Sequence, residues 1–218
     1  MVSRMKYEPL RYSPKEVAAF DGLFRLAATG KQFSNIKVQD IATAAGIGKG
    51  TLYEYFSSKE EILACAVLYA LDRALSWLED QLQGEISLYR TLETFLDMLE
   101  KEQLLPVTAL TVLISSVSEQ QKQELQQQYR DRMQEIFRRM QRCEKQFFEV
   151  GRRNGEIDPA LDDSFCEYVI VSSLFGMAGR NLCAHQQGRK SEWKLVQQMV
   201  FRSLRPQTDR SSCIQPDL

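Results

Sequence analysis

The sequence of 218 residues has little cysteine and almost no histidine, and both shortages exclude functions. Its five cysteines are scattered and odd in number, and none forms a CxxC pair, which argues against a disulfide framework and a cysteine zinc site. With His185 as the only histidine, neither a His-paired metal cluster nor a Ser/His triad can be distinguished from chance. We therefore expect no enzymatic activity, no metal and no cofactor.

A long hydrophobic run is also missing. The N-terminal stretch MVSRMKYEPLRYS is too polar for the apolar core of a secretory signal. The most apolar run, FCEYVIVSSLFGMAG at 165–179, contains Glu167 and is shorter than the roughly 18–20 residues that a membrane span needs. These features predict a cytoplasmic protein that does not contact a membrane.

Proline is scarce, with six in the chain, and no stretch is rich in glycine and serine, so long uninterrupted elements are expected. Apolar residues recur at helical spacing almost everywhere, without strand alternation. Ser13, Pro14 and Glu16 form a helix start with a capping box, and Ser58 with Glu61 forms a second one. The expected fold class is all-α, with about nine helices near residues 14–30, 38–46, 48–56, 58–83, 87–103, 107–117, 120–153, 160–185 and 191–204.

Charge is distributed unevenly, although the net charge is only −1. Residues 1–59 hold nine Lys and Arg against five Asp and Glu, whereas the remainder holds nineteen against twenty-four. A basic N-terminal part on an acidic body suggests that the two parts have different partners.

The stretch AGIGKGTLYEYFSSKEE at 45–61 fits either a phosphate-binding loop or a helix-turn-helix. A Walker loop needs a preceding strand and a Gly-Lys-Ser/Thr ending, but here Lys49 is followed by Gly50 and the upstream segment is helical. A dinucleotide-binding loop would place its third glycine at Thr51. Both phosphate-binding interpretations therefore fail.

The spacing of a helix-turn-helix is present instead. Ala42 is small where the two helices cross, Gly46 tolerates a positive φ in the turn, and Leu52 anchors the second helix. The second helix would present its first turn, 48–51, to the major groove of DNA. We also expect Tyr55 and Phe56 to belong to the core.

The segment VQDIATAAGIGKGTLYEYFSSKEEIL at 38–63 resembles the N-terminal signature of the TetR family of bacterial transcriptional regulators. The resemblance is strong over about 13–63, and beyond it the chain matches only in helical content and length. It implies a helix-turn-helix DNA-binding domain at 1–57 and a ligand-binding and dimerisation domain at 58–205. The polar segment 206–218 is expected to be a disordered tail.

The resemblance also implies which residues contact DNA. In the family's pattern, residues at the start of the second helix face the DNA backbone, the recognition helix contacts bases and phosphates, and the fourth helix begins with a phosphate contact. The matching positions here are Lys37, Gln39, Gly48, Lys49, Gly50, Thr51, Tyr53 and Lys59. Two positions depart from the pattern: Gly48 replaces the usual Ser or Thr, and Glu54 is acidic, so the base preference stays open.

Two further sets of residues are candidates for a dimer interface and an effector site. The family pairs its last two helices across a two-fold axis, which gives the interface candidates Phe165, Val169, Phe175, Trp193, Val196 and Val200. Aromatic and methionine side chains of the middle helices are compatible with an apolar cavity for a small hydrophobic molecule, and the candidates are Trp77, Phe95, Met98, Phe137 and Met140.

The function that the sequence predicts is a homodimeric transcriptional repressor of a near-palindromic double-stranded operator, released by a small hydrophobic effector. Three alternatives remain open at this point: control by a protein partner in place of a small molecule, activation in place of repression, and an enzyme acting through the helical body. The scarcity of histidine and of metal ligands argues against the last one.

Overall fold

A computed structural model describes residues 11–29, 31, 33–83, 87–101, 118–184 and 190–206. Within these ranges the chain is all-α, as predicted, with nine α-helices, no strand and a 3-10 turn at Phe33–Asn35. The helices are α1 (Pro14–Ala28), α2 (Val38–Ala45), α3 (Lys49–Tyr55), α4 (Lys59–Gln81), α5 (Leu88–Lys101), α6 (Glu119–Gln128), α7 (Arg130–Arg153), α8 (Asp163–Ala184) and α9 (Lys190–Leu204). The helix expected near 107–117, His185 and the tail after Pro206 lie outside the described residues.

The first three helices form a compact head whose caps follow the sequence. The Ser13 hydroxyl accepts a hydrogen bond from the Glu16 amide at 3.3 Å, and the Glu16 carboxylate accepts one from the Ser13 amide at 2.7 Å. This reciprocal capping box fixes the start of α1. Gly46 ends α2 with φ at 69°, a left-handed conformation that glycine adopts without steric cost. The head core contains Phe20, Leu23, Ile36, Ile41, Leu52 and Phe56, all buried.

Helices α1 and α2 approach each other backbone to backbone at Gly22. A Cβ atom on Gly22 would lie 2.9 Å from the Ala45 nitrogen and 3.2 Å from the Ala44 carbonyl carbon, which is closer than van der Waals contact allows. The Arg25 guanidinium donates to the Ala44 carbonyl oxygen at the end of α2, where carbonyls lack helical partners. Together these contacts fix the position of α2 against α1.

The fourth helix belongs to the head and to the body of the protein. Its residues 61–68, about two turns near its start, are buried throughout. Ile62 and Ala66 pack in the head core, whereas Leu75 and Leu82 pack in a second core formed by α4, α5, α7, α8 and α9. Because the same rigid helix lies in both cores, head and body are joined through packed side chains.

The predicted single helix over 120–153 is wrong, because the structure has two helices separated at Tyr129. This residue has φ −108° and ψ 16°, outside the helical range. The break lets the Tyr129 ring pack against both hydrophobic cores. It also brings the Tyr129 hydroxyl within 2.5 Å and the Gln128 amide nitrogen within 2.8 Å of the Glu61 carboxylate.

The second predicted capping box, at the start of α4, forms only in part. The Ser58 hydroxyl accepts from the Glu61 amide at 3.1 Å, as expected. The Glu61 carboxylate does not return to Ser58; it accepts instead from the amide and the hydroxyl of Ser57, each at 2.6 Å. Its second oxygen is thereby available to Gln128 and Tyr129, so one carboxylate connects the end of the head to the α6–α7 break.

The middle of α4 is joined to α7 by a buried ion-pair cluster. The Arg139 side chain is fully buried and donates to Asp72, to the Ser76 hydroxyl at 2.9 Å, and to both carboxylate oxygens of Glu79 at 2.9 and 2.8 Å. A buried guanidinium is tolerated when its donors are satisfied in this way. The cluster fixes the register of α7 along α4.

We predict that Gly22→Ala destabilises the head, because the added methyl group would overlap backbone atoms of α2 that cannot rotate away. The expected loss is about 1–3 kcal/mol of unfolding free energy, the usual cost of overpacking a core. Urea denaturation followed by circular dichroism measures it. Gly50→Ala is the matched control, since a Cβ there meets no atom within 4 Å. An unchanged unfolding midpoint for Gly22→Ala would contradict the tight crossing.

Candidate nucleic-acid interface

The third helix is held against the head by one face only. Leu52 and Phe56 are 1% and 4% exposed and fix the helix to the core. Gly48 is the N-cap, with an extended backbone and no side-chain hydrogen bond to the helix. The hydroxyl that the family's usual Ser or Thr would supply is therefore absent, and the first amides of α3 are left without a side-chain acceptor.

The opposite surface of α3 carries most of the predicted recognition residues. Lys49 and Gly50 are exposed, Thr51 is half-buried, and Tyr53 is 52% exposed although it is a large aromatic residue. The Lys49 ammonium nitrogen lies 5.8 Å from the centre of the Tyr53 ring. Four predicted residues thus lie together around a short helix, with a cation and a phenol side by side.

The two predicted residues of α2 are also on the surface of the head. Lys37 and Gln39 are exposed at the start of this helix. The Gln39 amide nitrogen lies 3.4 Å from the Thr43 hydroxyl, so its side chain follows the outer face of α2. The Asp40 carboxylate accepts from the Lys37 backbone amide at 3.0 Å and from the Lys31 ammonium at 2.7 Å. The hydrogen bond from Lys31 has the larger effect, and together the two hydrogen bonds lower the pKa of Asp40.

Lys59 was expected to contact phosphate, but its ammonium makes contacts within the chain. Its ammonium donates to the backbone carbonyls of Phe33, Ser34 and Ile36 at 3.0, 3.3 and 3.1 Å. It also lies 4.6 Å from the centre of the Phe33 ring. Since an ammonium has three donors, the fold itself uses all of them. In this structure Lys59 ties the start of α4 to the 3-10 turn ahead of α2.

Tyr55 was expected in the core, and this expectation is wrong. Its side chain is 38% exposed, whereas the neighbouring Phe56 is buried as predicted. The reason is helical geometry: with Leu52 and Phe56 four residues apart on the buried face, Tyr55 lies about 100° around the helix. Tyr55 therefore joins the surface of α3 as a residue that the sequence analysis missed.

The interface candidates on the last two helices fall into two groups. Phe165 and Phe175 are 44% and 47% exposed, so their role in contacts between subunits stays a prediction. Val196 and Val200 are 8% and 2% exposed and belong to the body core, and Val169 packs against the same core, so these three are corrected to core residues. The Trp193 side chain lies outside the described residues.

A different set of side chains completes the exposed apolar surface on α8 and α9. Leu195 and Met199, one residue before each misassigned valine, are 56% and 58% exposed. On α8, Tyr168 is 74% exposed and Val171 is 37% exposed. We call the set Phe165, Tyr168, Val171, Phe175, Leu195 and Met199 the apolar strip. Its spacing of three or four residues places it along one side of each helix.

The effector-site candidates are brought together only in part. The rings of Trp77 on α4 and Phe95 on α5 are stacked with centroids 6.0 Å apart, and both are partly buried. Met140 packs against the body core. Phe137 is 53% exposed, so it does not join the other candidates inside the body. Met98 lies on α5, and its side chain is outside the described residues.

Comparison with known proteins supports the assignment of the head. Residues 29–66 match the model of a family described as bacterial regulatory proteins, tetR family. The match begins at the end of α1, includes all of α2 and α3, and ends within the buried first part of α4. It therefore contains every predicted DNA-contacting residue. No curated protein matches the chain.

Solved structures extend the likeness to nearly the whole length. The regulatory protein TetR from Rhodobacter sphaeroides has a TM-score of 0.66 and 19% identity, over 88% of this chain and 100% of that one. The fatty acid degradation regulator FadR from Bacillus halodurans has a TM-score of 0.63 and 21% identity, over 88% of this chain and 96% of that one. FadR from Bacillus subtilis, solved in complex with stearoyl-CoA, has a TM-score of 0.61 and 19% identity, over 86% of this chain and 97% of that one. At these identities the likeness establishes a shared fold.

No helix in the described ranges has both the length and the apolar content needed to cross a membrane.

Proposed function

We propose that this protein, a DNA-binding transcription regulator of the TetR family, is a cytoplasmic homodimeric repressor that binds a near-palindromic operator until a small hydrophobic effector releases it. One observation carries the proposal: α3 is anchored by Leu52 and Phe56 and exposes Lys49, Gly50 and Tyr53 to solvent. A short helix fixed on one side and polar on the other is suited to enter the major groove.

The exposed groups suggest how the head binds DNA. Lys49 supplies positive charge, and the absence of a side chain at Gly50 lets the helix backbone come close to the groove. Tyr53 and Thr51 offer hydroxyl groups to phosphate or base edges. Lys37 and Gln39, at the start of α2, fit contacts to the flanking phosphates. Lys59 is left out of the contact set because its donors are occupied within the chain.

The apolar strip supports the homodimer. Six large apolar side chains, each at least 37% exposed, are unusual on the surface of a monomer and lie on two neighbouring helices. A second copy related by a two-fold axis would bury the same strip on both subunits. Such a dimer would place two recognition helices about 34–36 Å apart, in successive major grooves, and the operator should therefore be near-palindromic.

An effector site between α4 and α5 is suggested by the stacked pair Trp77 and Phe95, because Trp77 lies on α4, the helix that also enters the head core. The complex of the Bacillus subtilis structure with stearoyl-CoA shows that a protein of this fold can bind a long acyl chain. We propose a hydrophobic effector for this chain on the strength of its aromatic side chains and Met140.

Two routes would carry an effector signal to the head. The first is α4, which is continuous from the head core to the Trp77 region. The second is the Glu61 carboxylate, which holds Ser57 of the head and Tyr129 at the α6–α7 break. A shift of either α4 or α7 would change the orientation of the heads. Coupling of roughly 1–3 kcal/mol between effector and operator is typical of such systems.

Selection of bound duplexes from a random DNA pool, at about 150 mM salt, tests the proposed function. Wild-type protein should enrich a two-fold symmetric sequence. Tyr53→Ala should weaken binding to it about 10- to 100-fold, the range for one base contact, and Tyr53→Phe separates the ring from the hydroxyl. Circular dichroism checks that the variants fold. Failure of the wild type to enrich any symmetric sequence would refute the proposal.

Disruption of the apolar strip should give monomers. The double variant Leu195→Glu and Met199→Glu places like charges opposite each other across a two-fold axis, so sedimentation at micromolar concentration should show the mass of one chain. Phe137→Glu is the control, since Phe137 is an exposed apolar residue of α7 that does not belong to the apolar strip. If the double variant stays dimeric, the strip is not the interface.

The Glu61 contact should transmit a signal in both directions, because coupling between two sites is reciprocal. Operator DNA should slow hydrogen exchange around 125–133 in the wild type. Tyr129→Phe keeps the ring but removes the hydroxyl, and this protection should be reduced. Tyr89→Phe removes a hydroxyl in the body, where the ring packs 4.7 Å from that of Phe201, and should leave the protection unchanged. Equal protection in both variants would exclude the Glu61 route.

A further inference from the structure

An unpaired carboxylate lies on the recognition helix. Glu54 is exposed, and within the described part of the chain no hydrogen bond or ion pair to it is found. The positions three and four residues away on the helix and just beyond it are Gly50, Thr51, Ser57 and Ser58, so no lysine or arginine can pair with it locally.

Helix stability does not account for this residue. Glu54 is the sixth of the seven residues of α3, close to the C-terminal end, where the helix dipole is negative. A carboxylate at that end is unfavourable, since it adds negative charge to the unpaired carbonyls. The position therefore carries a small cost for folding without a compensating contact.

The geometry of α3 directs Glu54 away from the head. Leu52 and Phe56 define the buried face, and with 100° between successive residues Glu54 lies on the opposite side of the helix axis. Gly50 precedes it by about one turn on the same side and has no side chain. Lys49 and Tyr53 lie on one side of the helix, between the buried face and Glu54. Glu54 is thus the side chain of α3 that points most directly away from the head core.

Because the proposed function places this face of α3 in the major groove, the following inference rests on it. A carboxylate only accepts hydrogen bonds. The edges of the bases offer two donors there, the N4 amino group of cytosine and the N6 amino group of adenine. Guanine presents N7 and O6, and thymine presents O4, which are acceptors that would repel the carboxylate. Adenine also places its N7 acceptor beside its amino group, so cytosine is the better partner.

We infer that Glu54 is a specificity-determining residue, which selects cytosine at one position of each operator half-site and rejects guanine and thymine there. The same charge weakens binding to DNA in general, because it approaches phosphates without a neutralising partner on its own helix. Glu54 therefore lowers the overall affinity for DNA and raises the discrimination between bases. Lys49 and the N-terminal end of α2, with Lys37, supply the attraction to phosphate.

The test compares operators selected by four proteins from one random pool: wild type, Glu54→Gln, Glu54→Ala and Glu149→Gln. Glu149 is an exposed carboxylate on α7, 17 residues beyond Arg132, or about 25 Å along the helix axis. Arg132 contacts Tyr12 of the head, so the control removes a negative charge far from the DNA face.

Wild type and Glu149→Gln should share a consensus with cytosine at one position per half-site. Glu54→Gln should move the preference there towards adenine, because glutamine both donates to N7 and accepts from N6. Glu54→Ala should leave the position undetermined. Discrimination against thymine should fall about tenfold in the alanine variant, and binding to unrelated duplex should strengthen, as measured by fluorescence anisotropy.

The outcomes separate the two proposals. A symmetric wild-type consensus that Glu54→Gln and Glu54→Ala leave unchanged would overturn the role of Glu54 and retain the DNA-binding function. A wild type that selects no consensus would overturn both. Circular dichroism and the sedimentation mass confirm that each variant is folded and assembled, so loss of structure cannot imitate loss of specificity.

Discussion

The arrangement of this protein depends on one carboxylate, that of Glu61. It is 5% exposed and receives hydrogen bonds from two parts of the chain that are far apart in sequence. One oxygen accepts from Ser57 at the end of the head, and the other accepts from Gln128 and Tyr129 at the break between α6 and α7. Burial alone would raise the pKa of Glu61, but the hydrogen bonds from Ser57 and Tyr129 lower it, so the group stays ionised and its partners stay bound. A buried charge that depends on all its donors restricts where each of them can move.

The surroundings of Glu61 extend this constraint to the rest of the molecule. Burial raises the pKa of the Tyr129 phenol, and it raises that of the Cys65 thiol to about 11, so both side chains stay protonated and act as neutral neighbours of the carboxylate. The Arg132 guanidinium bonds the Tyr12 hydroxyl at 3.3 Å and lies over the Tyr129 ring. The start of α7 is therefore held to both ends of the head. Farther along, Arg139 joins α7 to α4. A displacement of α7 would therefore act on the head at two points, Glu61 and Tyr12.

The sequence predicted what depends on local chemistry. Ser13 and Glu16 cap α1, and Gly46 takes the left-handed turn, because each contact lies within a few residues. The break at Tyr129 was missed, since no glycine or proline marks it and the carboxylate that its hydroxyl contacts is more than sixty residues away in the sequence. The contacts of Lys59 could not be predicted for a related reason, because its partners are carbonyls of a turn that forms only when the head folds. The valines of α9 were assigned to the surface although they are buried, since apolar residues stand next to each other at 195–196 and 199–201 and the pattern does not show which of them face the core.

The surface of α3 combines two opposite electrostatic demands. For the proposed DNA contact, attraction to phosphate is independent of sequence, and Lys49 on α3 and Lys37 on α2 are the lysines placed to supply it. Discrimination between bases requires groups that reject wrong partners, and an unpaired carboxylate rejects acceptors more strongly than a neutral side chain does. With a net charge of −1, the whole chain exerts little general attraction on DNA. In the proposed dimer, affinity would come from placing two heads at the correct spacing, and the buried contacts of Glu61 and α4 would hold each head in position on its body. Under the proposed function, control of the operator would follow from changes in the body that are small compared with the size of the dimer.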